Sequence, residues 1–316
     1  MEEIKKKLRA RARVKYMQTG VLQSLIDLNN ERQSHYLKAT TCCRGAVVTE
    51  GKLTMRYCRS RVCQVCNRNR SGRLINSYGE QIKQGSYRFL TLTIPNVSDI
   101  QLKEAIEEMK IVFLYIRRKF ARDRRQLNGL YTIETTYNWM SDSYHPHIHC
   151  LIDAEVEECF EIVKQWINAW EKRGVKCSPQ AQDIRKADDG ALSEVFKYAI
   201  KFDYTMARSD GKAVLKYSAE AIDTILSAIW GKRMVITFGN IRAVDEDYQE
   251  EAVLNWSEEN DVYLWSVCDW FSITTGEALS DFTPSEVPNN RRRRGVRQRR
   301  GERIVYPEGQ KTQFFN

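Results

Sequence analysis

The chain has 316 residues, a formal charge of +9 and a hydrophobic fraction of 42%, enough for one large or two modest domains with a packed core. No run approaches the ~18 consecutive apolar residues that span a bilayer, and the opening MEEIKKKLRARARVKY lacks the apolar centre of a secretory signal, so a cytoplasmic protein is expected. The charge is uneven: residues 245–287 hold twelve Asp or Glu and no Lys or Arg, which leaves the rest strongly basic and suited to a polyanion such as nucleic acid.

Residues 3 to about 38 carry Leu, Val and Ile at rough helical spacing and predict one or two helices. AVVTEGKLTMRYC then predicts a hairpin turning at Glu50-Gly51. It leads into Cys58-x4-Cys63-x2-Cys66, with Cys42 and Cys43 fifteen or so residues earlier. Four thiolates at this spacing suit a tetrahedral Zn²⁺, with Cys43, Cys58, Cys63 and Cys66 as the expected ligands and Cys42 as the alternative to Cys43. Free core thiols are the competing reading. The surrounding arginines argue against a plain core, and Arg59, Arg61, Arg68 and Arg70 suit DNA-backbone contact. The other cysteines are scattered, as in a reducing compartment.

From Tyr87, RFLTLTIPN predicts a strand ended by Pro95, followed by a helix from about Ile100 to Arg122. LYTIETTYN and HPHIHCLI predict an antiparallel hairpin around a polar turn near Asn138 to Ser143. Further on, a helix is expected from about Val156 to Arg173, a strand in AQDIRKA, a helix containing Ser193 to Phe202, a helix from about Ser218 to Trp230, and a strand in MVITF. The acidic stretch contains Trp256, Trp265, Trp270 and Phe271 and so reads as a small subdomain or a partner-packing segment. Beyond Pro284, NNRRRRGVRQRRGER reads as a flexible arm whose Arg291, Arg292, Arg293 and Arg294 would meet phosphates, with nuclear targeting or a solubilising tail as the plain alternatives. The expected division is a helical segment at 1–40, a Cys-rich module at 41–80, an α+β domain at 81–243 with a central antiparallel sheet flanked by helices, an acidic segment at 244–287 and an arginine-rich tail at 288–316.

Three of the four histidines fall in His145-Pro146-His147-Ile148-His149. On a strand, His147 and His149 face the same way, and Glu134 lies opposite them across the predicted turn. Two imidazoles and a carboxylate suit Mn²⁺ or Mg²⁺ acting as a Lewis acid, with His145 as an extra ligand or hydrogen-bond partner. Glu194, Tyr198 and Lys201 fall at i, i+4 and i+7, one face of a helix. The Tyr198 oxygen is a candidate nucleophile toward a phosphodiester, Glu194 a candidate base toward water, and Lys201 a candidate partner for the phosphate. Taken alone, a buried tyrosine beside an ion pair reads equally well. Tyr204 and Tyr217 compete as nucleophiles, but neither has a carboxylate four residues upstream. Tyr131, Tyr137, Trp139 and Tyr144 border the hairpin as candidates for stacking on unpaired bases, with a core place favoured for Tyr131.

Together these segments resemble the rolling-circle replication initiators of small bacterial plasmids, in the single-tyrosine HUH endonuclease superfamily. Phe89-Leu90-Thr91-Leu92-Thr93, ending near Asn96, looks like the first family motif, and the histidine segment like the second. Glu194 with Tyr198 matches the third motif, and Gly231-Lys232-Arg233 with Phe238-Gly239 resembles a later one. The resemblance covers roughly residues 40–243. It implies an HUH endonuclease fold beside a zinc-ribbon-like module. It also implies metal-dependent nicking of one origin strand by Tyr198, a 5′-phosphotyrosine link, a free 3′-hydroxyl for a host polymerase working with a helicase, and release assisted by Glu194. A transposase or relaxase of the same superfamily, and a non-catalytic zinc-bearing nucleic-acid-binding protein, are the alternatives.

Overall fold

Charged helices α1 (Glu2–Asp27) and α2 (Gln33–Thr40) precede the hairpin β1 (Gly45–Thr49) and β2 (Lys52–Met55). Its turn residues Glu50 and Gly51 both have positive φ, 52° and 71°, the backbone of a two-residue hairpin turn matched to strand twist. Then come α3 (Gln64–Gln84), β3 (Tyr87–Thr93), α4 (Asp99–Arg122), β4 (Asn128–Asn138), β5 (Ser143–Asp153), α5 (Val156–Glu171), β6 (Asp183–Lys186) and α6 (Asp189–Val195). After them follow β7 (Ala207–Ser209), β8 (Lys212–Val214), α7 (Ala219–Ala228), β9 (Val235–Phe238), β10 (Leu254–Asn255), β11 (Asp261–Ser266) and β12 (Asp269–Ser272). This computed structural model describes residues 2–196, 207–209, 212–214, 217–244, 254–255 and 261–284. The architecture is α+β with two antiparallel five-stranded sheets, and no helix among the described residues is long and apolar enough to cross a membrane.

The described residues within 1–73, 203–220 and 245–294 form one compact unit, and those within 74–202 and 221–244 form a second. In the first, the strands run β10-β2-β1-β11-β12, so part of the acidic stretch completes the sheet that the N-terminal hairpin begins. Val47 pairs with Val262, and Tyr263 with Ser272. The β11–β12 turn is Val267-Cys268, with Val267 at φ 54° and 80% exposed, a conformation that the sequence does not advertise because it lacks Gly and Asn. The buried Asp269 carboxylate accepts hydrogen bonds from the N–H groups of Trp270 and Phe282 and from the Ser280 hydroxyl, which ties down the chain beyond β12. Trp270 is fully buried and donates from Nε1 to the Cys43 carbonyl at 2.6 Å.

In the second unit the order is β6-β3-β5-β4-β9. Strand β5 is central, paired with β3 through Thr91↔His149 and with β4 through Glu134↔His147. One face carries Tyr131, Ile148 and Cys150 and packs under α4 and α5. There Phe113 meets Tyr131 at 5.0 Å between ring centroids, and Trp166 Nε1 donates to the Thr93 carbonyl. Helix α4 forms because the Gln101 side chain accepts from the Ser98 N–H at its start, and because Leu102, Ile106, Met109, Phe113, Ile116 and Phe120 make one apolar stripe. The opposite face presents Phe89, Leu130 and Leu151 to Ala191, Leu192 and Val195 of α6, with Leu74, Ile75 and Tyr78 of α3 packed alongside.

One feature departs from expectation. Helix α3 was not anticipated, because its arginines mask an apolar stripe of Leu74, Ile75, Tyr78 and Ile82 whose i, i+1, i+4, i+8 spacing is helical. Helix α6, within the helix predicted to contain Ser193 to Phe202, begins at Asp189, where the Asp188 carboxylate accepts from the Ala191 N–H, and spans Asp189–Val195. The rest of that predicted helix lies outside the described residues, except Phe196, which forms the cap.

Gly129 lets β4 approach its neighbours, because a Cβ there would collide with the Leu151 carbonyl and the Phe238 ring. Gly129→Ala should destabilise the protein by about 1–3 kcal/mol, read as a lower urea midpoint at unchanged slope.

Candidate active site

Strand geometry places the paired histidines. Side chains two apart on β5 share a face, so His147 and His149 stand together with ring centroids 4.6 Å apart, while Ile148 points into the α4–α5 side. Across the ladder, Glu134 Oε2 lies 3.4 Å from His149 Nε2 and 3.9 Å from His147 Nε2. One ligand atom from each of the three residues falls within 4.8 Å of the others, and all three are buried. The far side of each ring is anchored: His147 Nδ1 donates to the His145 carbonyl at 3.1 Å, and His149 Nδ1 lies 3.3 Å from Thr91 Oγ1. The Nδ1 proton of His147 leaves its Nε2 lone pair toward Glu134. Burial, reinforced by the neighbouring His149, lowers the His147 imidazole to about 4 and keeps it neutral. A carboxylate and two imidazoles with anchored outer nitrogens are a donor set that fits a divalent cation. His145 is half-buried, stacks on His147 and holds Asn96 Oδ1 at 3.0 Å.

Glu194 sits on α6, which packs on the same sheet face. The Thr132 hydroxyl donates to the Val195 carbonyl at 3.1 Å, and Arg185 Nη2 donates to Glu194 Oε2 at 2.6 Å. Arg185 is buried, with its guanidinium 4.1 Å from the Phe89 ring centre, and Phe89 in turn lies 5.2 Å from the His149 ring. Sequence reasoning missed Arg185. Its only trace was an inward basic residue in a short strand, and its partner is set by tertiary packing. Tyr198, Lys201 and Tyr204 lie outside the described residues, and Tyr217 is buried.

The thiols gather in the first unit. Cys42, Cys58, Cys63 and Cys66 place their sulfurs within 4.8 Å of one another, with Cys66 Sγ 3.5 Å from Cys42 and 3.6 Å from Cys58. A tetrahedral ion with ~2.3 Å bonds to sulfur separates its ligands by about 3.8 Å, so the four fit one. The thiol that completes the set is Cys42 and not Cys43. Cys43, at φ 50°, uses its backbone to bind Arg56 and Trp270 instead. The N–H groups of Cys58, Arg59 and Ser60 point at Cys42, Cys66 and Cys58 sulfurs, which favours thiolates. Hydrogen bonds from Cys42, Cys63 and Cys66 hold the Cys58 thiol far below its ordinary range. Buried Lys15 donates to the Cys42 carbonyl, and Gln18 links the Cys63 sulfur to the Gln64 N–H.

Of the arginines expected to meet DNA, Arg59, Arg68 and Arg70 are exposed and Arg61 is half-buried. Arg59 lines a groove of about 1000 Å³ together with Lys38, Arg56 and Tyr57. Arg68 lines a smaller cavity of about 240 Å³ with Lys7 and Arg11. Arg70 braces the cysteine loop through Asn67 and the Arg59 carbonyl. Arg291 to Arg294 lie outside the described residues.

Comparison with known proteins places this site in a family. A family model described as Replication protein matches residues 52–264. "Protein rep" of Streptococcus pneumoniae serotype 2 (strain D39 / NCTC 7466) is 26% identical over 164 residues, 46% of this chain and 51% of that protein. "Protein rep" of Staphylococcus aureus is 28% identical over 167 residues, 48% of this chain and 73% of the other. "Protein rep" of a Bacillus sp is 26% identical over 248 residues, 67% and 77% of the two chains. The match thus spans about half the length of the pneumococcal relative. No solved structure matches the chain. The chain belongs to the Replication protein family.

The buried His147 gives the metal-free protein a pH signature. Between the ordinary histidine value of ~6.5 and about 4, the unfolded chain binds a proton that the folded chain excludes. Stability is therefore full above ~6.5 and falls through that window, by at most ~1.4 kcal/mol per pH unit. Urea unfolding of chelator-treated protein should show this slope, and His147→Gln should flatten it.

Proposed function

We propose that this chain initiates rolling-circle replication by nicking one strand of a plasmid origin, on an HUH endonuclease fold. The observation that carries the reading is the convergence of Glu134, His147 and His149 on the sheet face against which the Glu194 helix packs. Membership of the replication protein family and the resemblance of the histidine and Glu194–Tyr198 segments support it. Glu134, His147 and His149 would hold Mn²⁺ or Mg²⁺, which when bound polarises a non-bridging phosphate oxygen. Tyr198 Oη would attack the phosphorus, forming the P–Oη bond as the P–O3′ bond breaks. The phenolic proton passes through water to the leaving 3′-oxygen. The products are a 5′-phosphotyrosine and a 3′-hydroxyl, the primer for a host polymerase with a helicase ahead of it. Lys201 would neutralise the phosphate. Glu194, aimed by Arg185, would later take a proton from the water that attacks the phosphotyrosine and so frees Tyr198.

The basic groove along Arg59, with Arg61, Arg68 and Arg70 nearby and the arm at Arg291 to Arg294, would hold duplex phosphates. Cys42, Cys58, Cys63 and Cys66 would hold a structural Zn²⁺ that orders the loop carrying Arg59 and Arg61 and the start of α3 with Arg68 and Arg70. The cytoplasm, which keeps thiols reduced, is the fitting compartment for all nine cysteines.

Incubation with Mn²⁺ and labelled single-stranded DNA from its own replicon should give a covalent protein–DNA adduct, reduced about 10³-fold or more in Tyr198→Phe and in Glu134→Ala. Cleavage that persists in Tyr198→Phe would move the nucleophile elsewhere. Binding without cleavage under every divalent cation would leave a non-catalytic binding protein.

Native mass spectrometry should find one zinc per chain, lost in Cys42→Ser or Cys63→Ser and kept in Cys43→Ser. Retention in Cys42→Ser with loss in Cys43→Ser would reverse the ligand assignment.

A further inference from the structure

Four aromatic residues surround the β4–β5 hairpin, and the structure separates them. Tyr131 is 2% exposed and Tyr144 4%, so both belong to the core. Tyr137 is half-buried, with its hydroxyl donating to Asp142 at 2.7 Å and its ring 5.2 Å from Tyr144. Trp139, by contrast, is 65% exposed at the turn, and its neighbour Met140 is 79% exposed.

A single exposed apolar side chain is ordinary on a protein surface, so exposure alone decides nothing. Three further observations give this one a role. The first is rigidity. The Met140 N–H donates to Asn138 Oδ1, Ser141 and Ser143 share a hydroxyl hydrogen bond of 2.7 Å, and Asn96 Nδ2 donates to Ser143 at 2.8 Å. Val97 and Tyr144 exchange two backbone bonds of 2.8 Å just below. The turn is therefore braced from within and from the loop after β3, so the backbone that presents the indole needs no further ordering.

The second is position. Asn138 pairs with Ser143 and Glu134 with His147, four residues further down each strand, so the turn stands about 14 Å from the metal-ligand group at ~3.4 Å per residue. That distance corresponds to about four nucleotide steps at the duplex rise of ~3.4 Å, and to fewer on a stretched single strand. The third is charge. From Gln126 to Glu155 the chain has no Lys or Arg, so the hairpin itself supplies no cation for a phosphate. What the turn offers is a flat aromatic surface and a thioether, the chemistry that takes a base.

We propose that Trp139, with Met140 beside it, is a stacking platform for an unpaired base a few nucleotides from the scissile phosphate. This rests on the nicking reading for the place of that phosphate, and it goes beyond it by assigning a site and a ligand class. Stacking holds the strand open and in line without reading its sequence.

The test uses the full chain carrying Tyr198→Phe, with no Mn²⁺ or Mg²⁺ added, so that no cleavage takes part. A short thymidine oligonucleotide should quench tryptophan emission, and Trp139→Phe should lose that component of the quench while binding within about threefold. Trp139→Ala should bind the oligonucleotide about tenfold more weakly, in line with ~1–3 kcal/mol per stacked base, and a blunt duplex of the same length equally well. Because Trp139 is exposed, both variants should keep the parent thermal midpoint. Unchanged oligonucleotide binding by Trp139→Ala, or equal weakening toward duplex, would overturn the proposal. So would loss of concentration-dependent self-association in that variant without any change in oligonucleotide binding, since the tip would then belong to a second copy. Stacking is read here without chemistry, so absence of nicking in the parent protein and absence of stacking are separate outcomes.

Discussion

The register of one β-hairpin is the constraint on which the candidate site depends. Glu134 opposes His147 only in the pairing that runs from Asn128↔Asp153 to Asn138↔Ser143. Because strand side chains alternate, a slip of one residue would turn both imidazoles toward the apolar α4–α5 side and bring Ile148 onto the site face. Several features oppose such a slip. Ile148 and Cys150 are fully buried on one face, Leu151 on the other, and the braced turn fixes the strand ends.

Burying a carboxylate and two imidazoles has an energetic cost, and the surrounding groups show how it is offset. His147 remains neutral and uses its outer nitrogen on a backbone carbonyl, while His149 uses the Thr91 hydroxyl. Glu194 and Arg185 meet in a short ion pair at the edge of the same face, with the guanidinium buried over Phe89 and the carboxylate partly exposed. An ion pair with one wet partner loses less solvation than a fully buried one, and it orients the carboxylate without shutting it from water.

The first unit shows a different economy. Its strands are short, and three of the five, β10, β11 and β12, arrive from more than two hundred residues away in sequence, through pairs such as Leu254↔Leu53 and Gly45↔Leu264. The four thiols gather where α1, the hairpin and the start of α3 meet, with Lys15 and Gln18 reaching in from α1. Long-range pairing of this kind forms late, because the loop must close before any contact compensates. A local clasp among residues 42–66 would order the N-terminal half beforehand.

Local periodicity was enough to read the hairpin pairing Glu134 with the histidines, the helices α4, α5 and α7, and the Glu50-Gly51 turn, because each is set by neighbours a few residues apart. The three cysteines at 58, 63 and 66 were legible for the same reason. The choice of Cys42 over Cys43 was not, since two adjacent residues differ only in which way the fold turns them. Helix α3 was hidden by its arginines, and β11 with β12 by a Val267-Cys268 turn that lacks the residues such turns usually carry. The Arg185 pairing with Glu194 and the exposure of Trp139 were decided by tertiary packing alone, whereas the core place of Tyr131 was already favoured by the sequence. Periodicity says which residues share a face, but only the assembled layers say what that face meets.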